Sequence, residues 1–145
     1  MTDITITAPG SATPELAAEV AALARQLSST AAPFTLDLLA RITASPATTL
    51  LVARDGEGRA VGMLTLVMFP IPTGLRAIIE DVVVDGAARN MGIGEMLTLG
   101  AVRRASAAGA RTVDLSSRPS REAANRLYVR AGFAQRETAV YRRTL

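Results

Sequence analysis

The feature that most constrains the fold is a glycine-containing turn that joins an apolar run to a helical pattern. Residues 76–85, RAIIEDVVVD, are typical of a central strand. Residues 88–97, ARNMGIGEML, then place two glycines one residue apart, and an amphipathic pattern continues to Gly109. A further apolar stretch, ARTVDLSS, follows at residues 110–117. A strand, a helix and another strand in this order predict a parallel or mixed sheet covered by helices.

The remaining segments complete one domain over residues 1–145. The predicted order is β-α-α-β-β-β-α-β-α-β, and the chain contains no internal repeat or linker. Helices are expected after the N-cap residues Thr13, Thr35 and Ser120, and an Asp-Gly turn at residues 55–58 predicts a hairpin. Residues 133–145 are expected to form one or two closing strands. The fold class is therefore α/β (α+β), with a mixed sheet of about six or seven strands and about four helices.

The composition excludes several kinds of catalysis. The chain has no cysteine and no histidine, so thiolate nucleophiles, Ser-His-Asp triads and Cys/His metal sites are impossible. No metal site is expected. The N-terminal stretch MTDITITAPG does not resemble a signal peptide, and no apolar run is long enough to span a bilayer. A cytoplasmic protein without a membrane partner is expected.

The charge is concentrated near the C-terminus. All basic residues are arginines, and ten of them follow Gly100, against three acidic residues. Such a basic region suits either nucleic acid or a small polyanionic ligand. With two tyrosines and three phenylalanines, the chain has little aromatic surface on which bases would stack. A small polyanion is favoured, and no nucleic-acid partner is expected.

The glycine turn itself does not match a nucleotide fingerprint. Leu97 stands where a dinucleotide-binding turn has a third small residue, and no Gly-Lys-Ser/Thr follows as in a P-loop. Two interpretations remain open: a plain strand-to-helix turn, or a cradle of backbone N–H groups for an anion such as a diphosphate. The second is physically sound because glycine permits inward-pointing amides and a helix N-terminus attracts negative charge.

Two motifs resemble those of a known family. RNMGIG resembles the (Gln/Arg)-x-x-Gly-x-(Gly/Ala) signature of the GNAT superfamily of acyl-CoA-dependent N-acetyltransferases. About thirty residues downstream, SREAANRLYVRAGF resembles the family's second segment, a helix that carries a tyrosine and ends in Gly-Phe. The similarity covers roughly residues 48–145 and implies a single-domain GNAT-like fold.

The resemblance implies a binding site for acetyl-CoA, or coenzyme A, without a metal. The pyrophosphate would lie on the backbone of the glycine turn, the pantetheine arm would pair with the end of the preceding strand, and the helix after residue 119 would add further contacts. The residues that match these positions are Val82, Val83, Val84, Arg89, Asn90, Met91, Gly92, Ile93, Gly94, Ser120, Arg121 and Asn125. The family's asparagine seven residues before the tyrosine is replaced by Arg121 here, and Asn125 is the nearby asparagine.

The mechanism implied by the resemblance requires a proton donor and a proton acceptor. Tyr128 matches the tyrosine that protonates the leaving thiolate. A carboxylate must take the proton of the amine, directly or through water, because histidine is absent. Glu80 is the first candidate and Asp81 the second, and as neighbours in a strand they are expected to face opposite sides of the sheet. The alternative is a structural ion pair with an arginine such as Arg76 or Arg118.

The function implied is transfer of an acetyl or longer acyl group from acyl-CoA to a primary amine by direct attack. A small-molecule acceptor is favoured over a protein substrate because the chain is a minimal catalytic domain. Two alternatives remain: a protein N-acetyltransferase, and a CoA-binding sensor module without catalysis. A homodimer is possible, since dimers are common in the family.

Overall fold

The computed structural model describes residues 3–145, which form nine main elements and a short 3₁₀ helix at Gly86–Ala88. The elements are β1 (Thr5–Thr7), α1 (Pro14–Leu27), α2 (Leu36–Ala44), β2 (Thr48–Arg54), β3 (Ala60–Ile71), β4 (Gly74–Val84), α3 (Ile93–Ala107), β5 (Val113–Asp114) and α4 (Glu122–Arg130).

The strands form one mixed sheet in the order β1-β2-β3-β4-β5. The first four are antiparallel neighbours, whereas β5 pairs with β4 in parallel, through Ala77 with Val113 and Ile78 with Asp114. The parallel pair is connected through α3, as the strand-helix-strand order predicted. The α/β fold class with a mixed sheet and four helices is confirmed.

The starts of the first two helices follow from local sequence. The hydroxyl oxygens of Thr13 and Thr35 accept hydrogen bonds from the N–H groups of Leu16 and Leu38, each at 3.1 Å. The N-cap predicted at Ser120 is wrong, because α4 begins one residue later, after Arg121. The side chain of Arg121 makes no capping hydrogen bond.

The sheet separates two apolar layers. Alternate side chains of β2 contribute to one layer and to the other. Leu51 and Ala53 belong to the cluster that α3 covers with Ile93, Leu97 and further residues. Leu50 and Val52 belong to the opposite cluster, which α1 and α2 cover. Successive side chains of a strand point to opposite faces, so one strand serves two cores. This arrangement fixes the first turn of α3 against the end of β4.

The expected closing strands are absent from the described residues, and the sheet has five strands rather than six or seven. Every residue of 134–145 is exposed, and none belongs to a strand. The pattern of apolar and polar residues in this segment suits a strand, but a strand forms only where an edge pairs with it. The segment PIPTG at residues 70–74 lies at the tight connection between the long strands β3 and β4.

None of the helices found within residues 3–145 is both long and apolar enough to cross a membrane.

Candidate active site

A bulge near the end of β4 shapes the centre of the site. Met63 of β3 pairs with Val83, but Thr65 pairs with Glu80, so β4 has one residue more than β3 between these pairs. Asp81 takes up the extra length with φ of 49°, a left-handed conformation that is rare for residues other than glycine. Backbone strain of this kind is often found where a strand is shaped for function.

The bulge corrects the expectation that Glu80 and Asp81 face opposite sides of the sheet. That expectation assumed regular alternation, which does not hold across a left-handed residue. Both acids are exposed, and both line one cavity of about 190 Å³. The cavity lies between the ends of β4 and β5, and α1 and α4 contribute to its wall. Its lining residues are Leu27, Ile79, Glu80, Asp81, Val82, Leu115, Ser116, Arg121 and Tyr128.

The acids of the cavity are not used for structural ion pairs. Arg76, one of the expected partners, instead lies 3.4 Å from a carboxylate oxygen of Asp114. Glu80 and Asp81 are absent from the ion pairs formed among residues 3–145. Arg121 lines the same cavity but forms no ion pair with either acid, so both carboxylates can accept a proton or attract a cation.

Tyr128 contributes a phenol to the same cavity from α4. The residue is 7% exposed, and its ring centroid lies 6.1 Å from that of Phe133. Burial raises the pKa of Tyr128 above its ordinary value, and the positive charge of Arg121 opposes this effect. The phenol therefore keeps its proton at neutral pH and can donate it to a group in the cavity.

The start of α3 presents unpaired backbone N–H groups. Gly92, the N-cap residue, has φ of 76° and no side chain to cap the helix, and Asn90 has φ of 65°. The first helical hydrogen bond here is donated by Met96 N–H to the carbonyl oxygen of Gly92 at 3.0 Å. The N–H groups of Ile93, Gly94 and Glu95 precede it, at the positive end of the helix dipole. This geometry favours an anion over a plain turn.

Close packing places this helix start beside α4. A Cβ atom at Gly94 would lie 2.9 Å from Leu127 Cδ1 and 3.7 Å from Val84 Cγ2. By contrast, nothing lies within 4 Å of a Cβ atom built on Gly92. The space beside Gly92 is therefore open to a ligand, while Gly94 allows α3 and α4 to approach each other. Arg89 and Met91 of the same turn are exposed.

The other residues that were predicted to contact the cofactor lie in different surroundings. On β4, Val82 lines the cavity, Val83 is buried in the core beneath α1, and Val84 packs against the other core. Arg121, the N-cap residue of α4, lines the cavity, whereas the side-chain amide of Asn125 on α4 donates to the carbonyl oxygen of Arg118 at 3.0 Å. Ser120, which precedes α4, is exposed.

Four lining residues were not predicted from the sequence: Leu27, Ile79, Leu115 and Ser116. Leu115 and Ser116 could have been predicted from the sequence, because they directly follow β5. In sheets with parallel strands, ligands bind beyond the carboxyl ends of the strands. Leu27, at the end of α1, has no sequence feature that would have predicted its place in the cavity. Among residues 3–145, no group of three or more potential ligand side chains is arranged to hold a metal ion.

The sequence and the fold are similar to those of known proteins. A family model described as acetyltransferase (GNAT) family matches residues 18–133. Among curated proteins, none matches the sequence. The chain is similar to a provisionally named acetyltransferase of Agrobacterium tumefaciens str. C58, with 26% identity, a TM-score of 0.86 and coverage of 97% of this chain and 99% of that one.

Two other solved structures show the same fold. A protein named as a transcriptional regulator from Bacillus halodurans C-125 is 25% identical, with a TM-score of 0.85 and coverage of 98% of this chain and 100% of that one. An aminoglycoside acetyltransferase from an uncultured soil metagenomic sample, solved in complex with sisomicin, is 18% identical. Its TM-score is 0.84, and the match covers 99% of this chain and 96% of that one.

Proposed function

The chain belongs to the acetyltransferase (GNAT) family, and from this premise we propose that it transfers an acetyl group from acetyl-CoA to the primary amine of a small molecule. The proposal rests on one observation. Glu80, Asp81 and Tyr128 line the same cavity, which lies between the ends of β4 and β5. A proton acceptor and a proton donor in one cleft are what amine acylation requires.

The glycine turn is proposed to hold the diphosphate of the donor. The N–H groups at the start of α3 have no side-chain cap, the space beside Gly92 is open, and Arg89 is exposed nearby. These features fit a diphosphate without a metal ion. Acetyl-CoA would supply an activated thioester. The edge of β4 at Val82, beyond its pairing with β5, is proposed to pair with the extended amide-containing arm of the donor, as an added strand pairs with a sheet.

The side chains of the cavity are proposed to move the two protons of the reaction. Glu80 or Asp81 takes a proton from the acceptor ammonium group, directly or through water, so that the neutral amine can attack. Tyr128 holds a proton at its phenol oxygen for the departing sulfur. The transfer is direct, because the chain has no cysteine to form an acyl-enzyme. The two carboxylates also suit an acceptor that arrives as a cation.

The proposed activity can be tested with acetyl-CoA and a panel of amines: aminoglycosides, amino sugars, polyamines and peptides with free N-termini. A thiol reagent reports the CoA released, without background from the protein because the chain has no cysteine. We expect release that depends on a small-molecule amine, together with the acetylated product by mass spectrometry. Activity only with peptides would indicate a protein N-acetyltransferase, and CoA binding without release would indicate a sensor.

Neutralising the carboxylates should reduce turnover more than acceptor binding. We expect Glu80→Gln to lower kcat roughly five- to tenfold, which is less than the usual contribution of a general base because Asp81 remains in the cavity. Asp81→Asn should have a smaller effect. The matched control is Glu57→Gln, because the side chain of Glu57 is 78% exposed on the β2–β3 turn.

Steady-state kinetics with the best acceptor of the panel separate the two possible uses of these acids. A fall in kcat at unchanged KM supports proton transfer, whereas a rise in KM alone would assign the acids to attraction of a cationic acceptor. If both variants match the wild type, neither acid has the proposed role.

A further inference from the structure

The cavity of the proposed active site carries charge of both signs. Glu80 and Asp81 line it from the end of β4, and Arg121 lines it from the start of α4. Among residues 3–145, the guanidinium of Arg121 takes part in no ion pair and donates no hydrogen bond. Its positive charge and its five N–H donors are therefore available to a bound molecule.

Arg121 faces the cavity on the same side of α4 as the phenol of Tyr128. The two residues are seven apart in sequence, which is about two helical turns, so their side chains share one helix face. Burial raises the pKa of Tyr128, and the charge of Arg121 partly opposes this rise, as expected for a cation close to the phenol. The acids belong to β4, so the positive and negative groups of the cavity come from different elements.

The proposed donor does not bring a negative charge to this guanidinium. Its diphosphate is proposed to lie on the glycine turn, and none of the described residues 89–94 lines the cavity. The arm that joins the diphosphate to the thioester is an uncharged chain of amides. An anion that meets Arg121 in the cavity therefore belongs to the other substrate, the acceptor.

The size of the cavity limits what this acceptor can be. Its volume of about 190 Å³ is below the roughly 300–1,000 Å³ that is typical of sites for drug-sized ligands. The reacting end of the donor also has to enter this space. The apolar part of the lining, formed by Leu27, Ile79 and Leu115, suits a short carbon chain between two charged ends.

We propose that the acceptor is a short primary amine that also carries an anionic group, either a carboxylate or a phosphate. The inference rests on the proposed function. The ammonium group of the acceptor lies at Glu80 and Asp81, where it loses its proton, and the anionic group accepts hydrogen bonds from Arg121. Charges of both signs also give selectivity, because Arg121 repels a polyamine and the acids repel an anion that has no amine.

Pairs of acceptors that differ in the anionic group test the proposal. The pairs are γ-aminobutyrate with its amide, and phosphoethanolamine with ethanolamine, and release of CoA is measured with each member. We expect kcat/KM to be roughly tenfold higher for the anionic member of at least one pair, through a lower KM, as for a hydrogen bond between charged groups. The pair that shows the preference identifies the anion as a carboxylate or a phosphate.

Substitutions of Arg121 connect this preference to one side chain. Arg121→Gln should raise the KM for the anionic member roughly tenfold, with little change in kcat or in the Kd for CoA. Arg121→Lys keeps the charge but not the planar fork, so it should keep part of the preference. The matched control is Arg126→Gln, which removes the same charge from an exposed residue of α4 outside the lining and should keep all of it. Circular dichroism checks that the variants remain folded.

The outcomes separate this inference from the proposed function. Release of CoA only with neutral or larger amines, equal rates within both pairs, or a preference that Arg121→Gln retains would overturn the inference and leave the proposed function in place. A higher Kd for CoA in Arg121→Gln, measured by isothermal titration calorimetry, would also overturn it, because Arg121 would then contact the cofactor, as the resemblance implied. No release with any amine, including the aminoglycosides, amino sugars, polyamines and peptides, would overturn both.

Discussion

Tyr128→Phe is expected to lower kcat for acetyl transfer about 100-fold, at the lower end of what a positioned proton donor contributes. The substitution removes one oxygen atom and keeps the ring that packs against Phe133. Because the phenol makes no hydrogen bond to another of the described residues, its loss leaves no protein group unsatisfied. The free energy of unfolding should therefore change little, and the affinity for CoA should remain close to that of the wild type.

The chain offers a matched control, since Tyr141 is the other of its two tyrosines and is 93% exposed. Tyr141→Phe should retain full activity. The pH dependence gives a second signature. Burial raises the pKa of Tyr128, so the phenol stays protonated at neutral pH and ionises only at alkaline pH, where the rate should fall. This alkaline decrease should disappear in Tyr128→Phe. Equal turnover of Tyr128→Phe and the wild type would exclude the phenol as the proton donor.

Gly92→Ala is expected to raise the Kd for CoA roughly ten- to hundredfold, which corresponds to the loss of a hydrogen bond to a charged group. Gly92 has φ of 76°, and a side chain in this region costs about 1–2 kcal/mol. Relief of that strain would rotate the peptide groups before α3 and turn the N–H groups of Ile93 and Gly94 away from the anion. Isothermal titration calorimetry measures the effect directly.

The other end of the same helix supplies the control. Gly109 has φ of 96°, and a Cβ atom there would also find nothing within 4 Å. Gly109→Ala therefore adds the same methyl group under similar backbone strain, but about 22 Å away along a helix of this length. We expect both variants to lose similar stability in thermal unfolding and only Gly92→Ala to lose CoA affinity. Equal CoA affinity in the two variants would mean that the glycine turn does not bind the diphosphate.

The parts of the fold that were predicted correctly depend on short-range interactions. The caps at Thr13 and Thr35 each form a hydrogen bond over three residues, and the turn before α3 depends on glycine conformation. A pattern that is local in sequence can be recognised without knowledge of the partner elements. Gly92 and Tyr128 became candidates through short motifs that resemble those of the family, and such motifs are also local in sequence.

The parts that were missed depend on pairing between distant segments. The bulge at Asp81 exists only relative to the register of β3, so the sequence of β4 alone predicts regular alternation and separates Glu80 from Asp81. Residues 134–145 have the composition of a strand, but within residues 3–145 no strand pairs with them. Leu27 reaches the cavity from α1, which precedes β4 by almost fifty residues. None of these relations is encoded in a single segment.

The measurement that tests the central claim most directly is an amide NMR titration of the protein with CoA. We expect the largest shifts at the N–H groups of Ile93, Gly94 and Glu95, with smaller shifts along the end of β4, and no dependence on added magnesium or chelator. Saturation with CoA that leaves these three amides unmoved, or binding that requires a metal ion, would contradict the account.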